Sequence, residues 1–167
     1  MRDGIRLDER DIKMLTILQK EGRISKTALA SRVNLSPTPC WERLRRMEDA
    51  GIITGYGARL NPELLGPRTV VFVQAELEAH RAADFRRFEA AVHAVPEIVE
   101  CWAVGGGFDY ILKVMTTDIE AYQALMERLL DRDVGLKRYF SFLVTKPIKQ
   151  GEPPLALEEG LSALARK

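Results

Sequence analysis

The sequence predicts an α+β protein in which a winged helix-turn-helix precedes a ferredoxin-like domain with the element order βαββαβ. Apolar residues recur at helical spacing through residues 8–54, and the period changes to two in segments of residues 69–146. Between them, residues 55–67 contain three glycines and two prolines, which indicates a short strand plus a linker. We therefore assign residues 1–56 to the helix-turn-helix, 57–68 to a linker strand, 69–149 to the ferredoxin-like domain and 150–167 to a tail.

Three short helices are predicted before the linker, and each has its own start signal. Asp8, Ser25 and Ser36 have side chains that can cap a helix N-terminus. Pro37 fits the first position of the third helix, where no backbone N–H is needed, and Gly51 ends that helix. The positions expected to face inward are Ile12, Leu15 and Leu18, then Ala28, Leu29 and Val33, then Cys40, Leu44 and Met47.

The second domain is predicted to alternate strands and helices. The strands are Thr69–Leu77, Ile98–Val104, Tyr110–Thr116 and Leu136–Thr145, and the helices are Asp84–Val95 and Asp118–Leu130. The helices are expected to face inward with Phe85, Phe88, Val92 and Val95, and with Ile119, Tyr122, Met126 and Leu129. The first and last strands carry apolar residues on both faces, as Val71 and Phe72 illustrate, but helices cover one face only. We therefore expect a second subunit to bury the other face.

Composition excludes several classes of protein. The 167 residues contain no apolar run near the roughly 18 residues that a membrane-spanning helix needs, and residues 1–11 lack the apolar core of a secretory signal. Two cysteines, Cys40 and Cys101, are too few for a disulfide scaffold, so we expect buried thiols and a reduced cytoplasmic setting.

The leucines of the tail, residues 150–167, fit an amphipathic helix or a frayed end equally well.

Catalytic and metal-binding patterns are absent from the sequence. It contains no G-x-S-x-G, no Walker lysine loop and no H-E-x-x-H, so we predict a protein that is not an enzyme. His80 and His93 have no ligand spacing to each other or to the cysteines, so neither a metal site nor a cofactor is expected.

The third predicted helix has the residue types of a DNA-reading helix. Residues 1–60 contain 12 Lys and Arg against 8 Asp and Glu, a net charge of +4, which hints at a polyanionic partner. The side chains off the apolar stripe are Thr38, Glu42, Arg43, Arg45 and Arg46. A helix N-terminus attracts phosphate, hydroxyl groups approach base edges, and arginine reaches guanine or phosphate. An ordinary amphipathic helix with a charged outer side fits the periodicity equally well.

The segment VNLSPTPCWERLRRMEDAGIITGYGARLNPELLG resembles the DNA-binding segment of the Lrp/AsnC family of bacterial and archaeal regulators. The matching residues are Leu35, Ser36, Arg43, Met47-Glu48 (Met replacing the family's Leu) and Gly51-Ile52-Ile53, and the resemblance extends over about residues 7–149. It implies a regulator of transcription that binds double-stranded DNA as a homodimer, with dimers joining into octamers.

Two-fold symmetry then predicts a pseudo-palindromic operator with half-sites about 10 base pairs, or a multiple of that, apart. The DNA-binding residues that follow are Ser36, Thr38, Pro39, Glu42, Arg43, Arg45 and Arg46.

A glycine-rich turn is the candidate effector site. In VGGGFDYIL, residues 104–112, three glycines leave backbone groups open to a bound molecule, and Asp109 can hold an ammonium. A plain hairpin is the alternative. The resemblance implies that this turn binds a small-molecule effector, an amino acid or a derivative, through Gly105, Gly106, Gly107, Asp109 and Tyr110, with Ser141 on the last strand. The family's T-x-T pattern is replaced by Tyr139 and Ser141, so the resemblance does not identify the effector.

A second function remains open at the level of sequence. The chain could be a stand-alone metabolite-binding or small-molecule enzyme domain whose N-terminal helices serve assembly. DNA binding that weakens steeply with salt favours the regulator, whereas metabolite binding without DNA affinity favours the alternative.

Overall fold

The computed structural model describes residues 5–61 and 64–149, so the predicted tail at 150–167 lies outside the described residues. Two compact units divide between Leu60 and Asn61, within the range predicted as linker. We refer to them as the N-terminal unit (residues 5–60) and the C-terminal unit (residues 61 and 64–149). In neither described part is any helix both long and apolar enough to cross a membrane.

The N-terminal unit consists of three helices, α1 (Glu9–Lys20), α2 (Lys26–Arg32) and α3 (Pro37–Asp49). Asp8 and Asp11 cap the start of α1 reciprocally, because each carboxylate accepts the other's backbone N–H. Ser25 caps α2 through Ala28 N–H, as predicted. Ser36 occupies the N-cap position of α3 with extended backbone, but its side chain makes no capping hydrogen bond.

Two residues that were predicted to face inward are not part of the buried core of this unit. The buried apolar residues are Met14, Ile17, Leu29, Ala30, Val33, Cys40, Leu44 and Met47. The third helix therefore buries the predicted stripe. On α1 the buried side runs through Asp11, Met14 and Ile17, so Ile12 was wrongly placed because the helix is rotated by about one residue position. On α2 Ala28 is exposed and Ala30 is buried instead.

No strand forms in the described residues of the linker, 57–61 and 64–68, or at residues 55 and 56. The short strand expected there is therefore wrong for these residues. Glycine and proline lower the strand propensity of the segment, and no neighbouring strand of the N-terminal unit offers a partner among the described residues.

The C-terminal unit has the predicted βαββαβ order. Its elements are β1 (Thr69–Leu77), α4 (Ala82–His93), β2 (Ile98–Ala103), β3 (Tyr110–Thr116), α5 (Ile119–Leu130) and β4 (Leu136–Leu143). The strands form one antiparallel sheet in the order β2-β3-β1-β4, which confirms the ferredoxin-like fold. Helix α4 begins and ends two residues earlier than predicted, so Val95 lies after the end of the helix. Ile119 is exposed, and Leu125 is buried in its place.

The two faces of the sheet are both apolar, as expected, but only one is covered within the unit. Val71, Val73, Ala75 and Leu77 of β1 lie in the core with residues of both helices. On the opposite face Phe72 pairs with Phe142 across β1 and β4, and Phe140 lies opposite Gln74. The large apolar side chains Phe72, Trp102, Phe140 and Phe142 on this face are all exposed in the single chain. We call this surface the open sheet face.

Candidate DNA-binding surface and effector site

The outward side of α3 presents several of the residues predicted to contact DNA. Thr38 and Glu42 are exposed, and the Arg45 side chain is 63% exposed, with Asp49 at 3.7 Å as a weak neighbour one turn along the helix. Ser36 is exposed at the start of the helix, and Pro39 is half-buried in its first turn. This side of α3 thus carries hydroxyl groups at the helix N-terminus and a cation about two turns further along, which suits a nucleic-acid surface.

Two other predicted arginines face α1 and its cap instead. Arg43 Nη1 lies 2.5 Å from Asp8 Oδ2 and 2.9 Å from Asp11 Oδ1, and Arg46 Nη2 lies 2.6 Å from Asp11 Oδ2. The Asp11 side chain is fully buried and the Arg43 side chain is 26% exposed. Arg43 therefore ties α3 to the start of α1, and its guanidinium has two carboxylate partners without DNA.

The pKa values of Arg43 and Asp8 fit that arrangement. Hydrogen bonds to Asp8 and Asp11 raise the pKa of Arg43 above its ordinary value. For Asp8, burial raises the pKa, but hydrogen bonds from Asp11 N–H and Arg43 outweigh it and leave the pKa lowered. Both groups are thus held in their charged forms near neutral pH.

The predicted effector turn connects β2 to β3 at an end of the sheet. Its glycines, Gly105, Gly106 and Gly107, are exposed, and a Cβ atom on any of them would meet no heavy atom within 4 Å. Only Gly106 has a positive φ, +145°, so backbone strain from a side chain is expected there and not at its neighbours. The turn is closed by Val104 N–H donating to Asp109 C=O at 2.9 Å.

Asp109 already has partners within the chain. Its Oδ2 accepts the backbone N–H of Leu77 at 2.8 Å, and its Oδ1 lies 3.0 Å from His80 Nε2. The side chain is 16% exposed. The carboxylate therefore links the turn to the end of β1, a contact that sequence analysis did not foresee because Leu77 and His80 lie about 30 residues away.

Tyr110 and Ser141 point to the helix-covered side of the sheet. The Tyr110 hydroxyl donates to Glu89 Oε1 at 2.9 Å, and burial together with this bond raises its pKa well above the ordinary value. Ser141 Oγ is hydrogen-bonded to the Tyr122 hydroxyl. The single chain therefore does not bring these two side chains to the exposed backbone of the glycine turn.

A small cavity of about 90 Å³ lies beside the turn on the open sheet face. Its lining residues are Gln74, Glu76, Gly107, Phe108, Arg138 and Phe140. Glu76 forms ion pairs with Lys137 at 2.7 Å and with Arg138, and these partners lower its pKa. This charged cluster was not predicted from the sequence. The signal was present in TVVFVQAEL, where Gln74 and Glu76 interrupt the apolar outward positions.

Comparison with known proteins decides the family. The family described as "Lrp/AsnC ligand binding domain" matches residues 70–154, and "Winged helix-turn-helix DNA-binding" matches residues 7–54. The chain belongs to the Lrp/AsnC family.

Similar proteins of this family are regulators by name. The "Transcriptional regulatory protein DoeX" of Halomonas elongata is 52% identical over 155 residues, which are 93% of this chain and 98% of that protein. The "Leucine-responsive regulatory protein" of Salmonella typhimurium is 44% identical over 149 residues, covering 89% of this chain and 91% of that protein.

Solved structures of similar Lrp/AsnC-type chains have the same fold. A transcriptional regulator from Neisseria meningitidis, solved as a complex with L-Met, aligns with a TM-score of 0.82 and 35% identity. The alignment covers 92% of this chain and 98% of that one. An AsnC family regulator from Agrobacterium tumefaciens aligns with a TM-score of 0.84 and 34% identity, over 91% and 99% of the two chains.

The two cysteines of this Lrp/AsnC protein lie on α3 and β2, Cys40 in the core of the N-terminal unit and Cys101 packed against that of the C-terminal unit. Burial raises the pKa of Cys40, partly offset by Arg43, and burial with Glu89 raises that of Cys101. Both thiols are therefore protonated near neutral pH, a poor state for redox sensing. Among the described residues, no group of three or more His, Cys, Asp or Glu side chains is placed to hold a metal ion.

Proposed function

We propose that this Lrp/AsnC regulator binds duplex DNA through the outward side of α3 and that an amino acid or a close derivative controls this binding. The observation that carries the proposal is one chain that joins a helix-turn-helix with an exposed polar helix to the ligand-binding domain of this family. Similar proteins are named for transcriptional regulation, and one was solved with L-Met. A regulatory role in the cytoplasm without catalysis follows as part of the same proposal.

For DNA contacts we favour part of the predicted set. Ser36, Thr38, Glu42 and Arg45 are exposed on or at the start of α3, and Pro39 holds the first turn. The ion pairs of Arg43 and Arg46 with the buried Asp11 favour a supporting role for these two arginines. Arg45 is therefore the arginine on α3 that we expect to reach a phosphate or a guanine.

Replacing Arg45 with alanine is expected to weaken binding to an operator selected from random-sequence duplexes by about 1–3 kcal/mol. If Arg45 reads a base, the preference over scrambled duplex shrinks as well, whereas loss of a phosphate contact weakens both duplexes alike. Fluorescence anisotropy at several salt concentrations measures both quantities. Arg10→Ala, which removes an exposed arginine from α1, is the matched control. Equal affinities for wild type and Arg45→Ala would contradict the assignment.

For the effector we propose the turn at Gly105, Gly106 and Gly107 with Asp109. An amino acid carries an ammonium and a carboxylate close together, and these glycine N–H groups lie in the same short turn as the Asp109 carboxylate. The bond from His80 occupies part of that carboxylate, so ligand entry has to displace or include the imidazole. Tyr110 and Ser141 were also predicted here, and their contacts on the helix-covered side favour an indirect role for both.

Replacing Asp109 with alanine is expected to weaken effector binding about ten- to a hundredfold, because a charge-assisted hydrogen bond is worth roughly 1.5–3 kcal/mol. The effector is first identified by thermal shift against a panel of amino acids that includes L-leucine and L-methionine, and calorimetric titration then gives the dissociation constant. Glu97→Gln, which removes the ion pair with Arg128 away from the turn, is the control and is expected to leave that constant unchanged. A variant that melts earlier but binds the effector normally would show that Asp109 only supports the Leu77 backbone.

The coupling between effector and DNA is proposed to act through assembly. The open sheet face is the surface on which we expect two chains to pair, and the family resemblance extends this to octamers and to a pseudo-palindromic operator. An effector that prefers one assembly changes operator affinity by its differential binding, typically 1–3 kcal/mol or about 5- to 150-fold.

A further inference from the structure

An exposed indole on α3 lies between two positive side chains. Trp41 is 41% exposed and is not among the residues that form or line the core of the N-terminal unit. Lys26 Nζ, at the start of α2, lies 5.3 Å from the centroid of the Trp41 ring, and Arg45 Cζ lies 5.6 Å from it. Both distances are within the roughly 6 Å over which a cation is attracted to an aromatic face.

Core packing does not account for this side chain. The buried stripe of α3 is Cys40, Leu44 and Met47, and Trp41 lies about 100° around the helix from Cys40. Packing between helices is therefore not the role that the surroundings of Trp41 favour. The ring lies at the surface, where it contacts the charged ends of two long side chains.

The two cations are available to an anion. Among the described residues, the one carboxylate paired with Arg45 is that of Asp49, and this long, exposed pair is expected to be weak. Within residues 5–61 and 64–149 no carboxylate lies within 4 Å of Lys26 Nζ. Lysine and arginine side chains lose rotamer freedom when they bind a phosphate, and a ring that already restrains them lowers that cost.

We propose that Trp41 is a positioning residue for DNA binding, whose ring holds Lys26 and Arg45 in place for contacts with backbone phosphates. The inference rests on the proposed DNA-binding function. Phosphate contacts fix position and affinity but carry no base information. With both cations on phosphates and neither on a base edge, Trp41 sets how tightly duplex DNA is bound without setting which sequence is preferred.

The test uses the full chain and a random-sequence duplex of about 30 base pairs, titrated across a range of KCl concentrations. Trp41→Leu is expected to weaken binding about three- to tenfold, and by the same factor on a selected operator. Lys26→Ala is expected to lower the slope of log K against log salt by about 0.9, the value for one lost phosphate contact. Lys13→Ala, which removes an exposed lysine from α1, is the control and leaves the slope unchanged.

A double-mutant cycle separates positioning from a general effect on structure. If the ring positions Lys26, then Lys26→Ala costs less affinity in the Trp41→Leu background than in the wild type. Melting curves monitored by circular dichroism are expected to show that Trp41→Leu remains folded, because the residue lies outside the core. Additive losses in the cycle, or affinity equal to wild type in Trp41→Leu, would overturn the inference while leaving the DNA-binding function intact. Absence of duplex binding by the wild type would overturn the function itself.

Tryptophan fluorescence tests directly whether the bound duplex covers the Trp41 ring. The chain has two tryptophans, Trp41 and Trp102, so the variant Trp102→Phe leaves Trp41 as the only one. Quenching of its fluorescence by acrylamide is expected to fall when the duplex is added, because the bound DNA covers the ring. Unchanged quenching at saturating duplex counts against the proposal as firmly as unchanged affinity.

Discussion

Replacing Asp11 with alanine is expected to destabilise the N-terminal unit by about 2–4 kcal/mol. The fully buried carboxylate accepts Arg43 Nη1 at 2.9 Å, Arg46 Nη2 at 2.6 Å and the N–H of Asp8 at 3.0 Å. Its removal takes a partner from two cations and from a helix N-terminus at once. The estimate lies below that for a completely enclosed pair because water reaches both arginines.

Amide hydrogen exchange measures this effect separately in the two units of the full chain. Protection of α1, α2 and α3 is expected to fall in Asp11→Ala, while the strands of the C-terminal unit keep theirs. Glu21→Gln is the matched control, since it breaks the exposed pair with Arg32 and costs about 0–1 kcal/mol. If both variants lose the same protection, the buried cluster contributes no more than a surface ion pair.

Replacing Phe142 with aspartate is expected to dissociate the proposed dimer. Phe142 is 50% exposed in the single chain and lies opposite Phe72 on the open sheet face, next to the equally exposed Phe140. Loss of a buried phenyl group is worth about 1.5–3 kcal/mol. A two-fold axis repeats that loss, so the dimer weakens by about 3–6 kcal/mol, or about 10²- to 10⁴-fold.

Sedimentation velocity at micromolar concentration follows this change. The wild type is expected to sediment as a dimer or a larger assembly, and Phe142→Asp as a monomer with an unchanged circular dichroism spectrum. Ile119→Asp is the control: it also places a carboxylate at an exposed apolar position, but in the first turn of α5, where acidic residues are tolerated. A monomeric wild type would exclude the open sheet face as an interface.

Local signals explain why most of the elements could be predicted. A capping side chain such as Asp8 or Ser25 acts on backbone groups two or three residues away, so it can be read from adjacent letters. Strands β1 and β3 begin and end at the predicted residues for the same reason, because apolar alternation is local. The error at Ile12 is a rotation of α1 by about one position. Ala28 and Ile119 lie in the first turns of α2 and α5, where local spacing constrains only loosely which side chains are covered.

The sequence by itself determined the class of fold and the family, and it proposed where along the chain the two candidate sites lie. Only the tertiary structure decided what the charged side chains do within them. Arg43 meets an aspartate 32 residues away, Asp109 meets a backbone N–H 32 residues away, and Lys26 meets the ring of Trp41 on another helix. The energy of a charged group depends on its partners and on its burial, and neither is encoded in neighbouring residues. The arginine that faces solvent therefore could not be separated, by sequence, from those that hold the helix in place.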